Sequence, residues 1–299
     1  MPLAAFPKCF LHAMCVTREM SVDDWLDMAA GFDVDGYEFY WPFTPHENPA
    51  EMERIRRRAE DQKRTIPMMC YSPDFTKPDA EGRAAEVEAE KVAIRACPML
   101  GVKYLRVLSG QRRPEVSRAD GVRWVAECIH ALLPEAEKNG VTLILENHYK
   151  DTFWSFPEFA QHREVFLELL DAIGTHPNFG VNFDPSNSVI CGEDPIALLD
   201  AVKQRVVSMH ASDRYFEGGT LEDLVKIDAN PNTGYAGILQ HGVVGKGLND
   251  YDRIFSTLKS VGFDGWISIE DGADPLVGAH DIAESAVFLR EKMRQHGLR

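Results

Sequence analysis

The chain has 299 residues, 44% of them hydrophobic, so it can bury a sizeable core and is too apolar for a disordered protein. Its 47 acidic and 32 basic residues leave a net charge of −15, which argues against nucleic acid as a partner because phosphates would be repelled. A small anionic substrate is not excluded, since local cations can override the field of the whole protein.

The six cysteines are widely spaced and form no C-x-x-C pair, a pattern typical of neither a disulfide framework nor a structural zinc site. We therefore expect a reducing, cytoplasmic compartment. The N-terminal sequence MPLAAFPKCF lacks the basic start and long apolar stretch of a signal peptide. No apolar run reaches transmembrane length, so we expect no membrane partner.

Short apolar runs alternate with longer amphipathic runs along the chain. The predicted strands cover residues 8–14, 36–39, 65–70, 104–108, 142–146, 180–184, 206–210 and 266–270. Helical patterns cover residues 21–32, which begin with a good N-cap at Ser21, and residues 80–100, 121–140, 157–174, 194–202 and 251–262. This alternation predicts an α/β protein with a (β/α)8 TIM barrel. A doubly wound sheet is disfavoured because no G-x-G-x-x-G turn follows a predicted strand.

The alternation continues without a linker or low-complexity segment, which predicts one TIM-barrel domain over residues 1–299. The longest irregular part is residues 214–249, between the seventh and eighth predicted strands. It is rich in Gly, Asn and Asp and contains a short helical pattern at residues 221–227. In a barrel, a loop at this position would lie over the catalytic face.

Four successive apolar runs end on residues that commonly bind metals: VTLILE at Glu146, FGVNFD at Asp184, RVVSMH at His210 and WISIE at Glu270. A buried carboxylate or imidazole is unfavourable unless it is neutralised or hydrogen-bonded. Parallel strands would bring all four side chains to one rim. Oxygen-rich ligation with one histidine suits Mn²⁺ or Mg²⁺ before Zn²⁺. Each residue alone could be a helix N-cap, a loop acid or a structural histidine, but the coincidence of four favours a metal site.

Other polar residues near the strand ends are candidates to bind substrate. Glu38 follows the second strand and Arg106 lies in the fourth, although a structural ion pair would also explain Glu38. His148 could exchange protons, touch substrate or lie at the surface. Asn187 and Asp213 could orient ligands, or serve only as turn residues.

Aromatic residues crowd the same predicted loops. Trp41 and Trp154 are the candidates for substrate contact, because an aromatic wall suits an apolar face of a small molecule. Aromatic side chains also close the ends of barrels and form contacts between subunits.

The segments LILENH, GVNFDPSN, VVSMHASD and GVVGKGLNDYDRIFSTLKSVGFDGWISIED resemble the xylose isomerase-like TIM barrels of the sugar phosphate isomerase/epimerase group. The resemblance covers most of the chain and is strongest over residues 140–272. It implies one divalent metal, Mn²⁺ first, with Mg²⁺, Co²⁺ or Zn²⁺ as alternatives. The implied ligands are Glu146, Asp184, His210 and Glu270.

The resemblance also implies a reaction on a small carbohydrate, and we expect Trp41 and Trp154 to contact the apolar C–H face of that sugar. The metal would polarise a carbonyl and its adjacent hydroxyl, while Glu146 and Glu270 would move a proton through a cis-enediolate, giving isomerisation or epimerisation. Analogy with such barrels also predicts that copies of the chain could pair as a homo-oligomer.

The sequence departs from the ketose 3-epimerase pattern at two positions. Asn187 replaces a histidine, and Phe216 replaces an arginine, with Arg214 shifted by two residues. A metal-dependent dehydratase or lyase acting on a keto-sugar or keto-inositol, as in inosose dehydratase, is therefore an alternative, with His148 or Lys246 as the acid. An endonuclease IV-like enzyme would need more histidines. A sugar-binding protein on the same fold is the non-enzymatic alternative.

Overall fold

A closed parallel β-barrel forms the centre of the protein. The structure is a computed structural model and describes residues 1–151, 153–228, 237–270, 272 and 274–298. Within these residues the barrel strands are β1 (Leu3–Ala5), β2 (Gly36–Tyr40), β3 (Thr65–Cys70), β4 (Tyr104–Val107), β5 (Thr142–Glu146), β6 (Phe179–Phe183), β7 (Val206–Ala211) and β10 (Trp266–Ile269). Their order around the barrel is β1-β10-β7-β6-β5-β4-β3-β2. The predicted (β/α)8 TIM barrel is confirmed.

Helices cover the outside of the barrel. They are α1 (Val22–Ala29), α2 (Pro49–Asp61), α3 (Ala80–Leu100), α4 (Arg118–Asn139), α5 (Arg163–Ile173), α6 (Pro185–Ile190), α7 (Pro195–Val202), α8 (Leu221–Asp228), α9 (Tyr251–Ser260) and α10 (Gly278–Gln295). None of the helices in the described ranges is long and apolar enough to span a membrane.

The helix starts follow from local side-chain chemistry. Ser21 begins α1 with a reciprocal capping box: its hydroxyl accepts from the Asp24 backbone N–H at 3.1 Å, and the Asp24 carboxylate accepts from the Ser21 N–H at 2.8 Å. Asp79 and Ser117 are the N-caps of α3 and α4, where their side chains accept from the backbone N–H groups of Gly82 and Asp120. These caps satisfy backbone donors that a helix leaves unpaired at its first turn, and they fix where each loop ends.

The position predicted for the first strand was wrong. Residues 8–14 lie in a 3-10 turn (Lys8–Phe10) and a π-helical segment (His12–Thr17), whereas β1 is formed by Leu3–Ala5. Ala4 and Ala5 are fully buried between β10 and β2, so three small or apolar residues suffice for this strand. Cys9, Phe10 and Met14 bury their side chains from helical turns, which explains why this run resembled a strand.

The prediction omitted three helices, α2, α6 and α10. In α2 only Met52, Ile55 and Ala59 are buried, so its apolar face is a narrow stripe in a highly charged sequence. Helix α6 has only six residues, which is too short for a helical period to be recognised.

The segment predicted as a long loop contains regular structure. Strand β8 (Asp213–Phe216) pairs antiparallel with β9 (Leu239–Gly242), and α8 lies between them in sequence, which confirms the helical pattern at residues 221–227. Residues 229–236 of the predicted loop lie outside the described residues. The prediction of one domain over residues 1–299 stays a prediction.

Candidate metal centre

The four predicted ligands meet at the carboxyl ends of neighbouring strands. Glu146 is the last residue of β5, His210 lies in β7, and Asp184 and Glu270 directly follow β6 and β10. Each contributes one ligand-type atom, and these atoms all lie within 4.8 Å of one another. All four residues are buried. The structure therefore assembles a compact set of three carboxylates and one imidazole.

His210 lies at the centre of this group. Its Nδ1 is 2.9 Å from Glu146 Oε1 and 3.1 Å from Glu270 Oε2. Its Nε2 is 2.9 Å from Glu38 Oε1, and the Cys70 thiol donates to the same oxygen at 2.7 Å. Glu38 is fully buried and contacts the imidazole at the ring nitrogen that does not face Glu146 and Glu270. This arrangement of a carboxylate behind a histidine is common at metal sites, where it fixes the ring orientation.

The charges of the cluster perturb one another strongly. Burial would lower the pKa of His210, but Glu38, Glu146 and Glu270 raise it well above its ordinary value. Burial would raise the pKa of Glu146, yet His210, His148 and Arg106 lower it. Burial, Glu270 and Glu146 together raise the pKa of Asp184 to about 7. The carboxylates repel one another, so a cation between them would relieve the repulsion.

The donor set fits a divalent metal. The Oε2 atoms of Glu146 and Glu270 are buried and make no well-aligned hydrogen bond within the described residues, although Arg106 Nε lies 3.2 Å from the first and His210 Nδ1 lies 3.1 Å from the second. Buried carboxylate oxygens without such partners are unfavourable unless an ion satisfies them. Three carboxylates and one imidazole match the ligand chemistry of Mn²⁺, Mg²⁺, Co²⁺ or Zn²⁺.

Asp184 combines two roles that the sequence left as alternatives. Its Oδ1 caps α6 by accepting from the Ser186 and Asn187 backbone N–H groups at 2.7 and 3.2 Å. The Ser212 hydroxyl donates to the same oxygen at 2.7 Å. The side chain of Asn147 bonds both the N–H and the C=O of Asp184. Asp184 is thus an N-cap that also faces the cluster, held in one orientation by its neighbours.

Lys8 is a site residue that the sequence analysis missed. Its Nζ donates to Glu270 Oε1 at 3.0 Å, and burial, which would lower the pKa of Lys8, is outweighed by Glu270, which raises it. The 3-10 turn at Lys8–Phe10 carries the lysine over the barrel mouth. A strand over residues 8–14 would not do so, and the incorrect strand assignment concealed this contact.

Arg106 and Asn187 contact the other glutamate of the cluster, Glu146. Arg106 Nε lies 3.2 Å from Glu146 Oε2, while its Nη1 donates to the Tyr71 carbonyl and the Ser72 hydroxyl at 3.2 Å each. The Asn187 amide approaches Glu146 Oε1 at 3.4 Å. Each glutamate therefore has its own cation, with Arg106 beside Glu146 and Lys8 beside Glu270.

A cleft leads from the cluster to the surface. Its inner part, about 50 Å³, is bounded by Arg106, His148 and Glu270. It continues into a larger space of about 300 Å³. Both parts share the side chains of Lys8, Leu11, Tyr40 and Tyr149. A small polar molecule can thus reach the carboxylates between apolar and aromatic walls.

His148 borders the inner cleft. It is buried, its ring stacks on that of Tyr149, and its Nδ1 has no hydrogen-bond partner within the described residues. Burial lowers the pKa of His148 to about 4, despite the opposing charge of Glu146. The imidazole is therefore neutral near pH 7, with a ring nitrogen available to a bound molecule.

Other predicted substrate contacts make interactions with their own neighbours. Lys246 forms an ion pair with Glu284 on the surface, and its substrate role stays a prediction. Asp213 accepts from the backbone N–H groups of residues 245, 247 and 249 and so holds a turn in place. Arg214 is buried against His241.

The two predicted tryptophan contacts are half-buried. Trp41 stacks on His46 with ring centroids 4.0 Å apart. Trp154 follows Phe153, and it is Phe153 that borders the outer cleft, together with His241. The sugar contacts predicted for the tryptophans stay predictions.

These features define a TIM-barrel protein with a buried cluster of carboxylate and imidazole side chains at the carboxyl ends of its strands. The chain belongs to the xylose isomerase-like TIM barrel family, whose family model matches residues 26–292. It is 23% identical over 173 residues to inosose dehydratase from Bacillus thuringiensis (strain Al Hakam), covering 56% of this chain and 53% of that enzyme. The alignment thus spans about half of that relative.

Solved structures share the fold over nearly the whole chain. A D-tagatose 3-epimerase-like protein superposes with a TM-score of 0.76 at 17% identity, covering 99% of this chain and 98% of that one. The IOLI protein, whose structure contains a zinc atom, gives a TM-score of 0.73 at 16% identity, with 99% and 98% covered.

Proposed function

We propose that the protein is a divalent-metal-dependent isomerase or epimerase of a small carbohydrate, working by proton transfer through a cis-enediolate. The observation that carries the proposal is the pair of buried glutamates, Glu146 and Glu270, which both approach His210 Nδ1, with Glu270 lining the inner end of the cleft. Enediolate chemistry needs a base to remove a proton and an acid to return one.

Glu146, Asp184, His210 and Glu270 would hold the metal, with Mn²⁺ as the first choice. The zinc atom in the related IOLI structure makes Zn²⁺ an alternative. When bound, the metal would supply Lewis-acid polarisation of the substrate carbonyl. His210 would offer Nδ1, since its Nε2 faces Glu38.

The two glutamates would transfer the proton. Opposing cations outweigh burial and lower the pKa values of Glu146 and Glu270, so both carboxylates are ionised at neutral pH and can accept a proton. Arg106 and Lys8 fix their orientations. Return of the proton to the same carbon from the other side gives an epimer. Return to the adjacent carbon gives the isomer.

The cleft supports a small carbohydrate as substrate. Its volume of about 300 Å³ lies at the lower end of the range for small-molecule sites. Tyr40, Tyr149 and Leu11 would pack against the C–H face of the sugar, and His148 would hydrogen-bond a hydroxyl. The six cysteines form no disulfide, which supports a cytoplasmic location.

A metal-dependent dehydratase is the second candidate. It is favoured by the similarity to inosose dehydratase and by Asn187 and Phe216, which replace residues of the ketose 3-epimerase pattern. In this reaction a glutamate would take the proton next to the carbonyl, the C–O bond of the β-hydroxyl would break, and water would leave after receiving a proton. Lys8 lines the inner cleft, and its raised pKa keeps it protonated, so it would deliver that proton.

The experiment is solvent exchange in D₂O with a panel of keto-sugars, aldo-sugars and inososes. Protein stripped by chelator is compared with protein reloaded with Mn²⁺. Metal-dependent incorporation of deuterium without loss of water supports the isomerase or epimerase, whereas loss of water supports the dehydratase. Binding of a sugar without exchange or elimination for any compound would contradict both and indicate a sugar-binding protein.

A further inference from the structure

A second group of ligand-type side chains lies outside the cluster described above. His162 precedes α5, while Cys191 and Glu193 follow α6. One atom of each, an imidazole nitrogen, the thiol sulfur and a carboxylate oxygen, lies within 4.8 Å of the other two. His162 Nδ1 and Glu193 Oε1 are 3.1 Å apart. Three different donor types from two separate loops thus converge on one point.

Gly192 explains why two of these donors face the same point. It separates Cys191 from Glu193 and has a φ of 75°, a backbone conformation that favours glycine. The resulting turn is closed by the Glu193 N–H, which donates to the Ser188 carbonyl at 3.0 Å. The backbone turn at Gly192 therefore fixes how Cys191 and Glu193 lie relative to each other.

We propose that His162, Cys191 and Glu193 form a second metal site, specific for Zn²⁺ over Mn²⁺ and Mg²⁺. A thiolate, an imidazole and a carboxylate are all established zinc ligands, whereas a thiolate is a poor ligand for Mn²⁺ and Mg²⁺. Three protein ligands leave the fourth tetrahedral position for water. The partly exposed side chains of His162 and Glu193 give water access to that position.

Metal binding would alter a hydrogen bond of the Cys191 thiol and the contact between His162 and Glu193. The Cys191 thiol, which donates to the Ser188 carbonyl at 3.2 Å, loses its proton to solvent as the sulfur–zinc bond forms. The contact between His162 Nδ1 and Glu193 Oε1 is replaced by one bond from each to the metal. Glu193 Oε2 keeps its hydrogen bond from the Arg163 backbone N–H at 2.9 Å, so α5 remains capped. The step needs no oxidant or reductant.

A zinc ion at this site would stabilise α6, the helix next to the first metal centre. Cys191 directly follows α6, the short helix that Asp184 caps and that carries Asn187 to Glu146. A zinc ion here would tie the end of α6 to the start of α5. The inference is independent of the proposed reaction, because it concerns different residues and a different metal preference.

The test is titration of chelator-stripped protein with Zn²⁺, followed by a parallel titration with Co²⁺, whose thiolate complexes absorb by charge transfer. We expect wild-type protein to bind one equivalent of Zn²⁺ more than Cys191→Ser, and the Co²⁺–thiolate band to vanish in that variant. Cys128→Ser, which removes a buried thiol from α4, is the matched control and should keep both properties.

His162→Ala provides a second variant that leaves the thiol in place. It should weaken the additional Zn²⁺ site by more than tenfold, since loss of even an outer partner of a metal ligand weakens binding about 10–100-fold. His176→Ala is its control. Equal zinc content in wild-type protein and Cys191→Ser would overturn the proposal. So would a thiolate band that persists in Cys191→Ser but disappears in Cys70→Ser, because that band would come from the thiol beside Glu38.

Discussion

The substitution Lys8→Met tests the charge of a buried lysine separately from the size of its side chain. Lys8 and Glu270 form an ion pair at 3.0 Å, with side chains only 16% and 8% exposed. Methionine keeps a similar length without the charge, and Glu270 is left in the interior without its cation. Breaking one side of a buried ion pair destabilises a protein by about 3–5 kcal/mol. We expect a loss near the lower figure, because His210 still faces Glu270.

Lys246→Met is the matched control. Lys246 pairs with Glu284, but these side chains are 60% and 36% exposed, so solvent screens their interaction. Exposed pairs contribute little to folding, so we expect little change in stability. The assay is urea unfolding of each variant in chelator and again with saturating Mn²⁺.

The metal gives this comparison a second readout. If Glu270 binds Mn²⁺, the ion supplies the positive charge that Lys8→Met removes, and the loss of stability should shrink when metal is present. Equal stability of the two variants in chelator would refute the buried ion pair. A loss in Lys8→Met that is the same with and without Mn²⁺ would refute metal binding at Glu270.

Three further substitutions test separate parts of the structure. Glu38→Gln should weaken Mn²⁺ binding about 10–100-fold in calorimetry, because Glu38 orients His210. His148→Phe should raise KM with metal affinity unchanged. Burial raises the pKa of Glu158 from 4.5 to about 8, so the folded state retains a proton that the unfolded state loses, and stability falls by up to about 1.4 kcal/mol per pH unit within this window. Glu158→Gln should make that slope shallower in urea titrations from pH 5 to 8, while Asp184, whose pKa is raised to about 7, keeps its own contribution.

The barrel and the four residues that cluster at its mouth could be predicted because both depend on local sequence. β-Branched runs that end in Glu146 or His210 are visible without knowledge of the fold, and parallel strands necessarily bring their ends together. The residues at which two of these strands end differ from the prediction. Asp184 and Glu270 lie just past their strands, since the side chain of Asp184 already caps the next helix.

The remaining parts of the site depend on contacts between distant segments. Lys8 meets Glu270 across nearly the whole chain, and Glu38 meets His210 across the barrel interior. No local pattern encodes these pairs. For the same reason the sequence leaves Glu38 open between a substrate contact and a structural ion pair, and it offers His148 and Lys246, but not Lys8, as candidate acids.

The most direct test of the account is calorimetric titration of chelator-stripped protein with Mn²⁺. If the cluster is a metal centre, Mn²⁺ should bind saturably to the wild-type protein, and Asp184→Asn and Glu270→Gln should each cause a large loss of affinity. It also predicts that Glu217→Gln, a change in a glutamate outside the cluster, leaves binding unchanged. Wild-type protein that binds no divalent metal, or that binds it equally well after both cluster substitutions, would contradict the assignment of these residues as a metal centre.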